Sequence, residues 1–233
     1  MIDFDKSATY YKIIGANNYS NNGHYQYGLG LNTLADNNEL FNKEPICGPG
    51  GLYFCSIEYI FVYLDYGNKV CILTIPDDAQ VVKVNNKYKA DQIYIEEMME
   101  INNDTTEAIK YLIQCGADTS RGYEYLINWA ARKGNLEIVK YVIEHGIDGT
   151  VNNNFAIQYA SEHGYLEIVE YLVKNGASVT AWNNSAIRSA STIEIARYLA
   201  KHGADMNVAQ PKHFRILRRE VILPQQKISG YFD

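Results

Sequence analysis

One near-duplication in this 233-residue chain constrains its fold more than any other feature. The segment GNLEIVKYVIEHGID, residues 134–148, returns in altered form as GYLEIVEYLVKNGAS, residues 164–178. The glycines that end successive copies are separated by 30, 30 and 27 residues: Gly116, Gly146, Gly176 and Gly203. A fixed period of this length predicts a solenoid, because a single unit cannot bury its apolar face without a neighbour.

Each copy predicts a pair of helices. In the second helix apolar residues recur at helical spacing, as Leu136, Val139 and Ile143 do, and the glycine ends the helix. A shorter first helix precedes it at residues 125–134, 155–164 and 185–191. This first helix carries an alanine that lets the two helices approach closely: Ala130, Ala160 and Ala190. Five residues before each terminal glycine stands a tyrosine, for which we predict half-buried packing, with a binding stripe as the alternative: Tyr111, Tyr141, Tyr171 and Tyr198.

The pattern AARKGNLEIVKYVIEHGID resembles the ankyrin repeat, with a glycine at the inter-helix turn (Gly134, Gly164) and a Gly-Ala-Asp ending at 116–118 and 203–205. The resemblance covers about residues 102–207. The period is 30 residues where ankyrin repeats have about 33, the usual Thr-Pro-Leu-His opening is replaced, and the last copy lacks the inter-helix turn at SASTIEIARYL. Short repeats with Asn-Asn doublets in the loop are similar to those of ankyrin proteins encoded by mimivirus-like giant DNA viruses.

Ankyrin arrays bind other proteins and catalyse no reaction, so the resemblance implies a non-enzymatic, viral interaction adaptor that acts in the infected host cell. The fold alone does not identify the protein partner. The candidate partner-binding residues are first-helix positions on the concave face that differ between copies: Asn128, Trp129, Gln158, Tyr159, Arg188 and Ser189. The alternative is that these six are solvated or packing residues.

Residues 1–95 lack the repeat and predict a small mixed α/β domain. TYYKIIG (9–15) predicts a strand, and SIEYIFVYLDYG (56–67) predicts a helix bounded by Ser56 and Gly67. KVCILTI, AQVVKV and YKADQIYI predict strands, the last two joined at Asn85-Asn86. The predicted fold class is α+β: this domain, an all-α ankyrin-repeat solenoid of about three to four short repeats over 96–208, and a capping helix and C-terminal tail over 209–233.

The segment GPGGLYFCSIEY and the strands VCILTI and QIYI have some similarity to the core of ADP-ribosyltransferases, in which an aromatic of a Gly-apolar-Tyr-Phe turn stacks on nicotinamide. The resemblance implies Tyr53 as the stacking residue and Asp91 as the late acidic residue. The His-Gly that often ends the first strand of these enzymes is here Ile14-Gly15. The alternatives are an inactive domain of this type and a Tyr53 that packs beside Phe54. Viral ankyrin proteins of the giant-virus group open with a similar turn, in a domain to which no activity is assigned.

The repeat pattern ends after residue 207, and the sign of the net charge reverses. Residues 209–233 hold five Lys or Arg against two Asp or Glu, and Phe214, Leu217 and Val221 lie at helical spacing, which predicts a short helix over the open end of the solenoid. The sequence QQKISGYFD then resembles the motif by which replication proteins bind the sliding clamp (PCNA). The matching residues are Gln225, Ile228, Tyr231 and Phe232. A chance match is the alternative.

Composition narrows the remaining classes of function. A net charge of −6 argues against direct nucleic-acid or membrane-surface binding. The longest apolar run, YIFVYL, is far below the roughly 18 residues of a membrane span, and the first five residues do not form a signal peptide. Four cysteines lack zinc-site spacing. We expect no metal, cofactor or catalytic residue, a monomer, and an intracellular location in the host cytoplasm, with the nucleus and the virion as alternatives.

Overall fold

The computed structural model describes residues 4–20, 23–37, 39–101, 106–145, 149–216 and 218, with side chains described except at 36–37, 119–125 and 149–153. Contacts divide the chain into two compact units, Met1–Leu126 and Ile127–Asp233. This cut falls later than the end of the repeat-free region at residue 95, so the first unit also holds the opening helix of the repeat region. The domain bounds inferred from the repeat pattern stay a prediction.

The described residues of the first unit form seven strands: β1 Tyr10–Ile14, β2 Gly30–Thr33, β3 Leu52–Phe54, β4 Lys69–Thr74, β5 Val81–Val84, β6 Lys87–Ala90 and β7 Gln92–Glu100. They form an antiparallel four-stranded sheet of order β1-β4-β7-β2 and an antiparallel three-stranded sheet of order β3-β6-β5. A pair of 2.8 Å backbone hydrogen bonds between Tyr11 and Cys55 links β1 to the residue that follows β3. The mixed fold class predicted for the chain is confirmed.

The hairpin at Asn85-Asn86 is confirmed, since β5 and β6 pair across it. Asn85 has φ 58°, a left-handed conformation that asparagine tolerates better than most residues. The prediction of one strand over YKADQIYI is wrong, because β6 and β7 belong to different sheets. The chain changes sheet at Asp91, whose carboxylate accepts hydrogen bonds from the Gln80 backbone N–H (2.9 Å) and side-chain amide (3.0 Å).

The predicted helix after β3 is present as a 3₁₀ helix, Ile57–Tyr66, which buries Ile60, Phe61 and Leu64. Ser56 precedes it without capping it through its side chain, and Gly67 follows it. A Cβ at Gly67 would collide with the Ile14 carbonyl oxygen, so the close approach to β1 requires glycine there.

An aromatic cluster fills the space between the two sheets of the first unit. Phe4, Tyr10, Phe54 and Tyr88 lie with ring centroids 5.0 to 6.2 Å apart, mostly edge-on or tilted, the arrangement aromatic quadrupoles favour. Tyr53 and Phe54 are adjacent in β3, and Phe54 points into this cluster while Tyr53 is only partly buried. Alternation along β3 therefore places Tyr53 on the other side.

The repeat region consists of helices α1 Glu107–Gln114, α2 Thr119–Lys133, α3 Leu136–Glu144, α4 Gly149–His163, α5 Leu166–Lys174, α6 Ala181–Ser189 and α7 Ile193–Lys201. The prediction of a shorter first helix is wrong, because α2 and α4 have 15 residues each against 9 in α3 and α5, and α6 and α7 have 9 each. No proline interrupts 119–133 or 149–163, so the helical backbone extends through the segment preceding the periodic residues. Gly146 lies outside the described residues.

Equivalent positions are buried in successive second helices of the second unit: Ile138, Val139 and Val142; Ile168, Val169 and Leu172; Ile195, Ala196 and Leu199. Leu136 and Ile143, which the sequence places on the same apolar face, are only partly buried, so the buried stripe is rotated relative to the prediction. The three first-helix alanines are fully buried and the four tyrosines are partly buried, both as predicted.

The last repeat turns between its helices without a glycine. Ala190, Ser191 and Thr192 connect α6 to α7; the Ser191 N–H donates to the Ser161 carbonyl (3.0 Å), and the Thr192 hydroxyl accepts from the Ile195 N–H (3.4 Å). Residues 211–216 are helical, where the sequence predicts the capping helix. His213 is buried there and Phe214 partly buried. Leu217, Val221 and Pro224 lie outside the described residues.

Candidate functional site

The candidate partner-binding residues of the repeats lie mainly on α4 and α6, which pack against each other. Gln158 and Tyr159 on α4 are partly buried, as is Ser189 on α6, and Arg188 is exposed. The Ser189 hydroxyl donates to the Gln158 carbonyl at 3.4 Å, which brings the two pairs side by side. These four residues form a continuous polar surface, which we call the α4–α6 face.

Asn128 and Trp129 on α2 differ from the other four candidates. The Trp129 side chain is only 6% exposed, so it acts in packing in the isolated chain. The Trp129 Nε1 and the Asn128 Oδ1 are buried with no hydrogen-bond partner. The assignment of all six residues to partner binding stays a prediction, and Trp129 is the member whose surface a partner reaches least.

An exposed aromatic pair beside the α4–α6 face is absent from the sequence prediction. Phe155 precedes Gln158 and Tyr159 by three and four residues, so all three lie on one side of α4. The Trp182 ring lies with its centroid 5.4 Å from that of Phe155, at an interplanar angle of 32°. Phe155 is 40% exposed and Trp182 is 63% exposed. We call this pair the aromatic ledge.

The backbone that presents the aromatic ledge is strained. Trp182, Asn183 and Asn184 have φ values of 50°, 56° and 57°, in the left-handed region that costs a bulky residue such as tryptophan about 1–2 kcal/mol. The Asn184 Oδ1 accepts a hydrogen bond from the Asp205 N–H at 2.9 Å, which helps to hold this conformation. Strain of this kind is concentrated at functional sites. The only sequence signal for it is a tryptophan directly before an Asn-Asn doublet.

In the first unit, Tyr53 lines a cavity of about 400 Å³ between β1, β3 and the loop 48–51. Its hydroxyl accepts from the Gly48 N–H and donates to the Gly48 carbonyl, both at 2.8 Å, which fixes the loop. The Lys87 ammonium lies 4.6 Å from the centroid of the Tyr53 ring. The Lys12 ammonium donates to the Tyr53 carbonyl at 2.7 Å. We call this space the Lys12 cavity.

The other residues that the transferase resemblance selects lie elsewhere. Asp91 is bonded to Gln80 and lines neither of the two cavities that Tyr53 lines. Ile14, at the position of the usual histidine, is fully buried. The structure thus brings Tyr53 together with two lysines and not with the predicted acidic residue.

Burial controls the charges around the Lys12 cavity. It lowers the pKa of Lys12 to about 8. Burial also raises the pKa of Cys71 to about 12 and the pKa of Tyr27 well above its usual value, so both are neutral at pH 7. Lysine in the middle of the apolar strand TYYKIIG is the sequence signal for this site.

The described part of the chain also bears on membrane spans and metal sites. Within it, no helix is long and apolar enough to span a bilayer, and no three His, Cys, Asp or Glu side chains come together as metal ligands. The sliding-clamp residues Gln225, Ile228, Tyr231 and Phe232 lie outside the described residues.

Comparison with known proteins identifies the class of the repeat region. A family model for ankyrin repeats in three copies matches residues 98–183. Together with the helix pairs and the relatives below, this match shows that residues 98–183 of the chain are ankyrin repeats.

The similar proteins are encoded by Acanthamoeba polyphaga mimivirus. A putative ankyrin repeat protein is 34% identical over 119 residues, which is 49% of this chain and 35% of the relative. A second putative ankyrin repeat protein is 32% identical over 120 residues, 49% of this chain and 57% of the relative. An uncharacterised protein is 32% identical over 120 residues, with 83% of its length covered. The chain thus matches about a third and about half of the two putative ankyrin repeat proteins.

Proposed function

We propose that this chain is a non-enzymatic adaptor that acts in the cytoplasm of a virus-infected host cell and holds a protein partner on the α4–α6 face and the aromatic ledge. Ankyrin repeats are protein-interaction modules, and the relatives are viral. The observation that supports this particular surface is the tilted ring pair of Phe155 and Trp182, exposed beside Gln158, Tyr159 and Arg188.

An exposed tryptophan is unfavourable in the free chain, and its burial in a complex is favourable. Trp182 leaves 63% of its surface in water, and its backbone is held in a disfavoured conformation. Burial of an aromatic side chain against a partner recovers roughly 25 cal/mol for each Å² of apolar surface removed from water. Tryptophan, tyrosine and arginine are also the residues that dominate binding energy at protein interfaces. All three residue types occur on this surface.

The proposal is tested by affinity capture from infected cells, with wild-type chain and with Phe155→Ala/Trp182→Ala as bait. Tyr94→Ala is the matched control, since Tyr94 is 47% exposed on β7 of the first unit. We expect one partner to be recovered by the wild type and the control and to be lost from the double variant. Circular dichroism establishes that all three baits are folded. Equal recovery by the double variant would refute this surface.

We also propose that the first unit is an ADP-ribosyltransferase-like domain without transferase activity. The cavity beside Tyr53 supports the likeness, and the separation of Asp91 from that cavity supports the absence of catalysis. Incubation with labelled NAD is expected to leave the protein and its partners unlabelled. Label transfer that disappears in Tyr53→Ala would establish an active enzyme instead.

For the C-terminal tail we propose binding to a sliding clamp, supported by the spacing of Gln225, Ile228, Tyr231 and Phe232. A helical turn presents the three apolar side chains as one plug, and the Gln225 amide supplies directional hydrogen bonds. Calorimetry of a peptide of residues 225–233 against the clamp is expected to give saturable heat, and Tyr231→Ala/Phe232→Ala is expected to abolish it. No heat at high micromolar peptide would rule the interaction out.

A further inference from the structure

The Lys12 cavity holds two cations without a counter-ion. Among the described residues, no carboxylate lies within 4.0 Å of the Lys12 or Lys87 ammonium. Lys12 is held by the Tyr53 carbonyl and by the face of Tyr27, whose ring centroid is 4.6 Å from the ammonium. Lys87 is held by the rings of Tyr53 and Tyr63, at 4.6 and 5.9 Å. Within the described part of the chain, neither ammonium group therefore has an ionic partner.

The other charged groups of the cavity do not neutralise it. Glu39 is the acidic residue in its described lining, and the further titratable groups there are His24 and four tyrosines. The described lining thus holds two lysines against one acidic residue. The buried thiols of Cys55 and Cys71 and the phenol of Tyr27 face Lys12 in neutral form, because burial raises the pKa of each.

A third lysine stiffens the wall. Lys89 is fully buried, its ammonium donates to the Ile46 carbonyl at 3.3 Å, and its stem packs so closely on Gly51 that a Cβ there would lie 2.8 Å from Lys89 Cδ. With the Tyr53 hydroxyl bonded to Gly48, the loop 48–51 is fixed from two sides. The cavity is thus formed before any ligand binds, which favours affinity.

Aromatic rings form a further part of the cavity lining. Tyr25, Tyr27, Tyr53 and Tyr66 line it, and the rings of Tyr25 and Tyr27 lie 4.6 Å apart between centroids. The volume of about 400 Å³ falls in the range of small-molecule sites, roughly 300–1,000 Å³. Flat rings bind well against such surfaces.

We propose that the Lys12 cavity is a binding site for a small organic anion that carries an aromatic ring, with the negative group at Lys12 and Lys87 and the ring against the tyrosines. A buried ammonium without an anion is unfavourable. An anionic ligand supplies the missing counter-charge, whereas a cationic ligand would add to the excess. The site lies outside the repeats and does not depend on the partner surface proposed above.

The test is calorimetry of the full chain with four probes: AMP, benzenesulfonate, adenosine and inorganic phosphate. We expect AMP or benzenesulfonate to bind with micromolar affinity and adenosine, which lacks the charge, to bind at least tenfold more weakly. Inorganic phosphate alone is also expected to bind at least tenfold more weakly, because it lacks the ring. Failure of both aromatic anions to bind below 1 mM, or equal binding of adenosine, would overturn the proposal.

Variants locate the site. Lys12→Gln and Lys87→Gln are each expected to weaken binding of the anionic probe at least tenfold. Lys83→Gln is the matched control, since the Lys83 ammonium also lies over a tyrosine ring, 5.9 Å from the Tyr88 centroid, but does not line the cavity. Unchanged affinity in both cavity variants would overturn the proposal.

A second measurement needs no variant and so does not depend on the folding of one. Acetylation of the wild-type chain at pH 8, read by peptide mass spectrometry, is expected to slow at Lys12 when the anionic probe is present and to remain constant at Lys83. Equal acetylation of Lys12 with and without a bound probe would place the ligand elsewhere and refute the assignment.

Discussion

Substitution of the inter-helix glycine Gly134 tests how one repeat sits on the next. Gly134 has φ 76°, and a Cβ built there lies 2.6 Å from Cε1 and Cζ of Tyr165, the residue that opens the second helix of the following copy. Gly164, at the same turn one repeat later, has φ 87°, but its nearest atom is the Ser191 Oγ at 3.2 Å. The two glycines share the backbone conformation and differ in the clash.

The magnitudes follow from that difference. Alanine in the left-handed region costs about 1–2 kcal/mol at either position. Because alanine also lowers the conformational entropy of the unfolded chain, roughly 0.4–1 kcal/mol of that cost is offset. At Gly134 the overpacked Tyr165 ring adds about 1–3 kcal/mol. We therefore expect Gly164→Ala to lower the free energy of unfolding by about 1 kcal/mol and Gly134→Ala by about 2–4 kcal/mol.

Urea unfolding followed by circular dichroism measures both losses. The double variant Gly134→Ala/Tyr165→Ala separates strain from clash, because removal of the ring is expected to recover about 1–3 kcal/mol relative to additive single losses. Equal losses at Gly134 and Gly164, or an additive double variant, would show that Tyr165 does not pack on this turn. The stacking register derived from the repeat would then be wrong.

Three further substitutions have defined outcomes. Lys12→Met is expected to raise the free energy of unfolding at pH 7 by up to about 3 kcal/mol, since the pKa of Lys12 is about 8 in the folded chain. This gain in stability shrinks as the pH rises from 8 to 10.5, where the unfolded lysine also loses its proton. In urea titrations, a gain that stays constant with pH would contradict burial of the charge. Asn135→Ala removes a 2.9 Å capping hydrogen bond from the Ile138 N–H and is expected to lower the free energy of unfolding by about 1–2 kcal/mol in the same assay. The loss is expected to exceed that of Thr192→Ala, whose capping hydrogen bond is 3.4 Å long. A larger loss for Thr192→Ala would contradict this ranking of the two caps. Burial lowers the pKa of His213, so the stability of the wild type is expected to fall as the pH drops through 6.5. In thermal melts, His213→Gln is expected to flatten that fall. An unchanged pH profile in the variant would exclude His213 as its source.

The repeat itself could be predicted from the sequence because its information is local. Spacing of apolar residues defines a helix face, and alanines such as Ala160 mark where helices approach, so these features were recovered. The exact set of buried residues on each second helix could not be predicted. Leu136 and Ile138 are equally apolar, and only the packing of the neighbouring helix decides which of them is buried. The split of YKADQIYI at Asp91 depends on a hydrogen bond to Gln80, eleven residues earlier in the chain.

The candidate sites were predicted in part for the same reason. Positions that vary between copies led to Gln158, Tyr159, Arg188 and Ser189, whose variation is visible in the sequence. The burial of Trp129 and the exposure of Trp182 could not be predicted from the sequence, because both depend on how neighbouring helices pack. The two lysines of the cavity lie 75 residues apart, and only the sheet pairings bring them together.

The aromatic ledge is tested most directly by fluorine NMR of the chain labelled with 5-fluorotryptophan, titrated with its unlabelled captured partner. The chain has two tryptophans, so Trp182→Phe assigns both resonances. We expect the partner to shift the Trp182 resonance and remove its solvent isotope effect, and to leave the buried Trp129 resonance nearly unchanged. A saturating partner that leaves Trp182 in contact with water would contradict the account.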